Sequence, residues 1–346
     1  MDPRVSLALR RERRRSIPIS ELAAALKLSP RAVAHVVEEL GRIGFAIESH
    51  PLLGLRLAAA PDAILAEEIA YDQGRACHGV ALASRVGRRV WCVGEAVSTN
   101  DLAWEAAAQG PAESDGLAIF AEHQSGGRGR RGNRWLAPAH SSILCSIVLW
   151  TADSASPCVA GYAEQGGPGQ GAMLTRAAAV AAARAIEGRC DLAVGIKWPN
   201  DLVVEDRKVG GILVEARPAL GEVSPLVIGI GLNCTQGPED FPAEIRGAAS
   251  LAMLGVEMDR TLLARGLLAE LDRVIAGAAD PEGMAKVRGE AAARCRTLGR
   301  MISLREGDTT WRGEVIDLDP DYGLVLRLPE GGIRRFPAMT THVVAQ

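Results

Sequence analysis

The stretch "IKWPNDLVVEDRKVGGILVEA", which runs from Ile196 to Ala216, carries polar chemistry at the end of an apolar segment. Lys197 ends a predicted strand, and Pro199 stops it because proline cannot donate to the ladder of hydrogen bonds. Asn200 and Asp201 follow on the turn. An amine, an amide and a carboxylate therefore lie close together at a strand end, where they could bind a carboxylate, phosphates and Mg²⁺. Two roles stay open for Asp201, which could order Lys197 or act through a metal ion.

A second polar stretch, "GGRGRRGNRW" (Gly126 to Trp135), packs four arginines and four glycines into ten residues. Successive glycines let backbone N–H groups turn inward to form an anion nest, and guanidinium groups pair with phosphate oxygens. The stretch does not match the Walker motif "GxxxxGK[ST]". Arginine- and glycine-rich tracts are also typical of disordered RNA-binding segments. Because this one lies between the predicted strands "LAIFAEH" and "SSILCSIVLW", it is predicted to be a loop of a folded domain that closes over phosphates.

Composition narrows the class of protein. The chain has 346 residues, 48% of them hydrophobic and 23% charged, which predicts a globular protein of two or more domains. A formal net charge of -3 gives no overall attraction to nucleic acid or membrane. The seven cysteines form no CxxC pair and the six histidines show no metal-ligand spacing, so no metal site is predicted. With neither a membrane-length apolar run nor a signal peptide, the expected location is cytoplasmic.

The N-terminal residues have a local basic character and a helix-turn-helix pattern. The first 58 residues contain ten Lys and Arg against six Asp and Glu. A helix is predicted after Ser20, followed by a break and a second helix with Ser29 as its N-cap and Pro30 in its first turn. Helical spacing turns Arg31 and His35 away from the core. With the strands predicted in "FAIESHPLLGLRL", these features predict DNA binding through Ser29, Arg31 and His35.

The remaining chain mixes short strands with helices and ends in strands alone. Helices are predicted in "AMLTRAAAVAAARAIEG" and "TLLARGLLAELDRVIAG", and strands in "AVGIKW" and "PLVIGIGLN". Residues 153–172 are rich in small and turn-forming residues and are predicted to be a flexible surface insertion. The last fifty residues alternate strand-like segments with turn signals such as "DPDYG", which predicts a small β-barrel or sandwich.

Five motifs together resemble those of biotin protein ligases. They occur in the family's order and spacing and are "VSTN", "GRGRRG", "KWPNDL", "KVGGILVE" and "GIGLN". The resemblance covers the whole chain and is to the bifunctional bacterial form, which is both ligase and repressor of the biotin operon. It implies an α+β chain with a winged helix-turn-helix over residues 1–60, a class II synthetase-like mixed α/β catalytic domain over 61–295 and an SH3-like β-barrel over 296–346.

The resemblance also implies a two-step reaction and a set of site residues. Biotin and ATP with Mg²⁺ would give biotinyl-5'-AMP, from which a lysine of a biotin carboxyl carrier protein takes the biotinyl group. Lys197, Arg128 and Arg130 would be the catalytic cations, and Asn233 a possible nucleotide contact. The residues implied to bind biotin or the adenylate are Ser98, Thr99, Asn100, Gln124, Arg128, Gly129, Arg130 and Lys197. The adenylate would favour a homodimer that binds an operator.

Some alternatives remain at this point. The segment containing Lys208, Gly210 and Gly211 fits a tight β-turn as well as a ligand contact, and Trp135 fits a core position. Asn133 and His123 depart from residue types common in the family. Two other functions fit parts of the pattern: a lipoate or octanoyl protein ligase, and a DNA-binding regulator that senses biotin without catalysis.

Overall fold

The structure of the chain is a computed structural model. It describes residues 2–70, 85–151, 169–217, 224–243, 245, 247–278, 280–319, 323–338 and 340–344. Among these residues, no helix has both the length and the apolar character that crossing a membrane requires. Most of the segment predicted to be a surface insertion, residues 153–168, lies outside the described residues, and residues 169–172 begin a helix instead.

Three helices and a hairpin form the N-terminal unit. The elements are α1 (Pro3–Arg11), α2 (Ile19–Leu26), α3 (Pro30–Arg42), β1 (Ala46–His50) and β2 (Gly54–Ala59). The Ser29 hydroxyl accepts a hydrogen bond of 3.1 Å from the backbone N–H of Ala32, so this residue caps α3 as predicted. Helix α1 was missed from the sequence, where its arginines interrupt the apolar pattern. Its apolar side still packs against α2, α3 and the hairpin.

The central unit is built on a seven-stranded sheet. Its elements in chain order are α4 (Ala66–Ala70), β3 (Val90–Ala96), α5 (Thr99–Ala107), α6 (Pro111–Ser114), β4 (Ala118–Gln124), β5 (Ser142–Thr151), α7 (Gly169–Glu187), β6 (Gly195–Lys197), β7 (Asp201–Val204), β8 (Arg207–Ala216), β9 (Ser224–Asn233), α8 (Arg260–Gly277) and α9 (Pro281–Arg294). The strand order is β3-β4-β5-β9-β8-β7-β6, and only the β3–β4 pair among them is parallel.

Helices cover the two faces of this sheet unequally. Helices α7 and α8 pack on one face, where Phe120, Ile147 and Ile228 are almost fully buried. Helix α5 packs on the other face, against Ile119, Val148 and others. Because side chains alternate along a strand, Gly229 and Gly231 of β9 point to the face that carries α5. That face is only partly covered, which leaves room for a cavity beside the start of α5.

Five antiparallel strands follow the central unit. They are β10 (Met301–Glu306), β11 (Thr309–Leu318), β12 (Leu324–Arg327), β13 (Ile333–Phe336) and β14 (Thr341–Val344), in the order β13-β12-β11-β10-β14. Their core includes Leu304, Val315 and Phe336 and also takes in Trp198 of the central unit. The C-terminal strands are thus packed against the turn that follows β6.

Candidate active site

A cavity of about 180 Å³ opens on the face of the sheet that carries α5. It combines uncharged hydrogen-bonding side chains, cations and glycines. Its polar and charged lining residues are Ser98, Thr99, Asn100, Gln124, Arg128, Arg130, Asn133, Arg134, Asn200, Asp201 and Lys208. The structure therefore brings to one cavity every residue that the sequence assigned to biotin or adenylate, except Lys197.

The start of α5 supplies the uncharged side of the cavity. Ser98 caps the helix, and the backbone N–H of Thr99 donates 2.7 Å to Oε1 of Gln124 on β4. The hydroxyl of buried Ser146 on β5 lies 2.6 Å from both Oγ1 of Thr99 and Oδ1 of Asn100. Ser146 was missed from the sequence, since it lies within an apolar strand and no motif singles it out. These contacts hold three polar side chains in fixed positions.

Two residues that line the cavity each carry a buried donor with no hydrogen-bond partner among the described residues. The donors are Nδ2 of Asn100 and Nε1 of Trp135. Burying an unpaired donor costs about 1–3 kcal/mol, so such groups are rare unless a ligand or water satisfies them. Trp135 was weighed as a core residue, but it lines the cavity.

The glycines of "GIGLN" permit the close approach of these side chains. A Cβ on Gly229 would lie 2.5 Å from Oδ1 of Asn100, and a Cβ on Gly231 would lie 2.6 Å from Cε2 of Trp135. Real Cβ atoms essentially never approach so closely. The two glycines thus place Asn100 and Trp135 directly against β9.

The arginine-rich loop doubles back over the cavity. The backbone N–H of Trp135 donates 2.9 Å to the carbonyl of Gly127, and that of Gly129 donates 2.7 Å to the carbonyl of Asn133. At the tip Arg131 has a left-handed backbone (φ 57°), and a 3-10 turn spans Arg130–Gly132. Although partial burial works against it, hydrogen bonds to Asp101 and Glu215 raise the pKa of the Arg128 guanidinium above its usual value.

Lys197 lies outside the cavity, contrary to its predicted role as the central cation. It is the last residue of β6, which forms an edge of the sheet, and it lines a separate depression with Arg296 and Arg300. The lysine in the cavity is Lys208, whose Nζ lies 2.7 Å from Oδ1 of Asp201. The strand β8 that carries Lys208 pairs directly with β9, whereas two strands separate β6 from β9. The segment of Lys208, Gly210 and Gly211 is accordingly a strand and not a tight turn.

Asn233, a predicted nucleotide contact, is buried beneath the sheet end. Its Nδ2 donates 3.0 Å to the carbonyl of Ala249, and its Oδ1 accepts from Gln236 at 3.2 Å. It does not line the cavity. These hydrogen bonds indicate that Asn233 has a structural role at the end of β9.

Of the residues predicted to contact DNA, Arg31 and His35 lie on α3 of the N-terminal unit, and Ser29 is the N-cap of that helix. Arg31, Ala34 and His35 are exposed, while Val33 and Val36 are buried, as helical spacing predicts. The His35 ring lies 3.8 Å from Glu39, one helical turn further on.

Comparisons with known proteins agree with this geometry. The model of the biotin/lipoate A/B protein ligase family matches residues 93–233. Biotin--[acetyl-CoA-carboxylase] ligase of Mycobacterium tuberculosis is 35% identical over 219 residues, which is 62% of this chain and 74% of that protein. The bifunctional ligase/repressor BirA of Bacillus subtilis is 27% identical over 90% of this chain and 89% of its own length.

Two further comparisons differ in coverage. The match to BirA of Escherichia coli, 29% identical, covers 61% of each chain, so this chain spans under two thirds of that relative. Among solved structures, the biotin protein ligase from Aquifex aeolicus in complex with biotin and ATP superposes with a TM-score of 0.60 and 21% identity, over 75% of this chain and all of that one. It shares the mixed α/β fold. The cavity, the motifs that line it and the length of these alignments together show that the chain belongs to the biotin protein ligase family.

Proposed function

We propose that this chain is a biotin protein ligase that activates biotin with ATP and biotinylates a carrier protein in the cytoplasm. In the first step a carboxylate oxygen of biotin attacks the α-phosphorus of ATP, which gives biotinyl-5'-AMP and releases pyrophosphate. In the second step a lysine amine of a biotin carboxyl carrier protein attacks the acyl carbon, and AMP leaves. The names of the M. tuberculosis and B. subtilis relatives support this assignment.

One observation carries the proposal: a single cavity is lined both by neutral hydrogen-bonding groups and by cations. Biotin has a neutral ureido ring and an anionic carboxylate, and its adenylate adds a phosphate. Ser98, Thr99, Asn100 and Gln124 suit the ureido ring, which both donates and accepts hydrogen bonds. Arg128, Gly129 and Arg130 would then lie over the ligand.

In this proposal Lys208, and not Lys197, is the central cation of the active site. The attack of a carboxylate on a phosphate brings two anions together, so preorganised cations supply much of the stabilisation of the transition state. Lys208 lines the cavity, and Asp201 beside it holds the ammonium in place at 2.7 Å. Such fixed pairing removes the need to reorganise the ammonium during the reaction.

Mg²⁺ would accompany the triphosphate and neutralise part of its charge. Among the described residues of the lining, Asp201 is the one carboxylate, and Lys208 already pairs with it. Mg²⁺ commonly binds through phosphates and one or two carboxylates and keeps several waters. The lining therefore fits a Mg²⁺ ion delivered with ATP better than one held by a protein cage.

The test is incubation of the protein with labelled ATP, a carrier domain and either biotin or lipoate. We expect biotin-dependent formation of adenylate and pyrophosphate, followed by label transfer from biotin to the carrier lysine. Lipoate-dependent transfer in place of this would favour a lipoate or octanoyl protein ligase. Tight biotin binding without adenylate would favour a regulator that lacks catalysis.

We also propose that the N-terminal unit, over residues 1–60, is a winged helix that binds operator DNA. Its capped helix α3 with exposed Arg31 and His35, followed by a hairpin, favours this function. The bifunctional name of the B. subtilis relative, whose match spans most of this chain, supports it as well. The other units would be a class II synthetase-like catalytic domain over residues 61–295 and an SH3-like β-barrel over 296–346.

Repression would depend on the adenylate. A single winged helix makes few contacts, so a homodimer formed with adenylate would bind a palindromic operator more tightly, and carrier protein would compete by consuming the adenylate. A titration of DNA upstream of the biotin synthesis genes, with and without biotin plus ATP, tests this. Arg31→Ala should weaken the salt-sensitive binding and leave the ligase rate unchanged. Equal affinity with and without adenylate would reject the repressor function alone.

A further inference from the structure

Two carboxylates hold Arg128 from outside the cavity. Nη1 of Arg128 lies 2.8 Å from Oδ1 of Asp101, and its Nε lies 3.4 Å from Oε1 of Glu215. A second contact of 3.4 Å joins Nη2 to the other oxygen of Glu215. Arg128 lines the cavity, whereas Asp101 and Glu215 do not. The guanidinium is therefore fixed by groups that a bound ligand would not touch.

These carboxylates belong to the two elements that build the cavity. Asp101 lies in the first turn of α5, directly after Ser98, Thr99 and Asn100, and Glu215 lies near the end of β8. Glu215 is held in turn, because the indole N–H of buried Trp104 donates 2.8 Å to its Oε2. The contacts thus attach the arginine-rich loop to both α5 and β8.

We infer that Asp101 and Glu215 are positioning residues which hold the arginine-rich loop closed over the cavity through Arg128. Arg128 is the first arginine of the loop, and its backbone pairs with Arg134 at the other end in an isolated bridge. Fixing Arg128 therefore restrains both arms of the loop. The part of this inference that concerns a ligand rests on the proposed function, since biotinyl-5'-AMP would be the ligand retained under the loop.

The sign of the effect separates this role from a purely electrostatic one. Replacing Asp101 with asparagine removes a negative charge near the cavity, and by Coulomb attraction alone an anionic adenylate would then bind more tightly. If the carboxylate restrains the loop, the same substitution opens the loop and the adenylate dissociates faster. The side chains of Arg128, Asp101 and Glu215 are between 26% and 40% exposed, so each contact alone is modest.

The first experiment needs no ligand or activity. Limited trypsin digestion of the full chain reports opening of the loop, because cleavage after Arg128, Arg130, Arg131 or Arg134 requires an accessible backbone. Asp101→Asn and Glu215→Gln should each increase the initial rate of cleavage in the loop about two- to fivefold, and the double variant more. Asp206→Asn is the matched control, since it breaks an exposed Asp–Arg pair of 2.8 Å with Arg300, away from the arginine-rich loop. Cleavage rates equal to wild type in the double variant would overturn the inference.

The second experiment measures the dissociation rate of pre-formed biotinyl-5'-AMP. We expect faster dissociation from both single variants, with the rate of adenylate formation in a single turnover little changed. Slower dissociation from Asp101→Asn would mean that charge, and not loop position, governs retention, and would also overturn the inference. A wild-type chain that forms no adenylate would refute the proposed function, while the trypsin result would still decide the role of the two carboxylates.

Discussion

Nζ of Lys208 on β8 lies 2.7 Å from Oδ1 of Asp201 on the neighbouring strand β7, and the same ammonium lies 5.8 Å from the centre of the Trp135 ring. Both neighbours line the cavity with it. The contact with Asp201 fixes the direction of the ammonium, and the Trp135 ring offers its negatively polarised face. The cavity thus has a cation whose position is set by a strand and not by a mobile loop.

Replacing Lys208 should strongly slow the activation of biotin by ATP. Lys208→Ala should lower the rate of adenylate formation about 10²- to 10³-fold, as the loss of a preorganised transition-state donor does. Lys197→Ala is the matched control and should leave the rate essentially unchanged, because Lys197 lies in a separate depression. The measurement is pyrophosphate release in a single turnover. Loss of activity in Lys197→Ala together with normal activity in Lys208→Ala would restore the assignment made from the sequence.

Adding one methyl group beneath Trp135 should change the shape of the cavity and weaken ligand binding. In Gly231→Ala the new Cβ would meet Cε2 of Trp135 at 2.6 Å, so the indole must shift. Overpacking of this kind costs about 1–3 kcal/mol, and we expect weaker biotin binding by calorimetry. Gly266→Ala on α8 is the control, since nothing lies within 4 Å of its new Cβ, and it should stabilise the helix by up to about 1 kcal/mol. Unchanged binding in Gly231→Ala would show that the ring is free to move.

A buried ion pair should fix the N-terminal unit on the central unit. Arg10 of α1 binds both oxygens of Glu68 at 2.9 Å and Asp259 at 2.9 Å, with Arg10 4% exposed and Glu68 fully buried. Arg10→Ala leaves a buried carboxylate unpaired and should cost about 3–5 kcal/mol in the free energy of unfolding. Urea denaturation measures this change in the free energy of unfolding. The double variant Arg10→Met with Glu68→Gln should recover most of the loss, because no charge of that pair is then left buried.

The control for this pair is Arg14→Ala. The Arg14 side chain is 90% exposed and lies 3.4 Å from Glu257, so its removal should change the free energy of unfolding by less than about 1 kcal/mol. If Arg10→Ala were as mild as Arg14→Ala, the contact between the two units would contribute little to stability.

The buried thiols should resist alkylation at mildly alkaline pH. Burial raises the pKa of Cys234 to about 12 and that of Cys145 well above the usual range for a thiol. Only the thiolate is nucleophilic, so at pH 8 both stay protonated and unreactive in the folded chain. Peptide mass spectrometry after iodoacetamide should show Cys190, which is only half-buried, modified before Cys145 and Cys234. Equal rates for all three in the native protein would contradict the burial of Cys145 and Cys234.

The sequence by itself determined the elements whose signals are local. The Ser29–Pro30 start of α3, the strands around the arginine-rich loop and the two long helices of the central unit follow from caps and apolar periodicity within a few residues. The family resemblance likewise singled out Ser98–Asn100, Gln124, Arg128 and Arg130, and the structure brings these to one cavity.

Only the tertiary structure decided which lysine lies in that cavity. Lys197 and Lys208 are eleven positions apart in one continuous stretch, each the first residue of a motif, and local patterns do not separate them. The chain reverses between β6 and β7 and again at Glu205 and Asp206, which leaves β6 at the sheet edge and sets β8 against β9. Strand neighbours depend on pairing between distant segments, β8 with β9 and β9 with β5, because each strand must find both a hydrogen-bond partner and a buried face. For the same reason, Ser146, Asp101 and Glu215 gain their contacts with the cavity residues only when separate strands and α5 pack together.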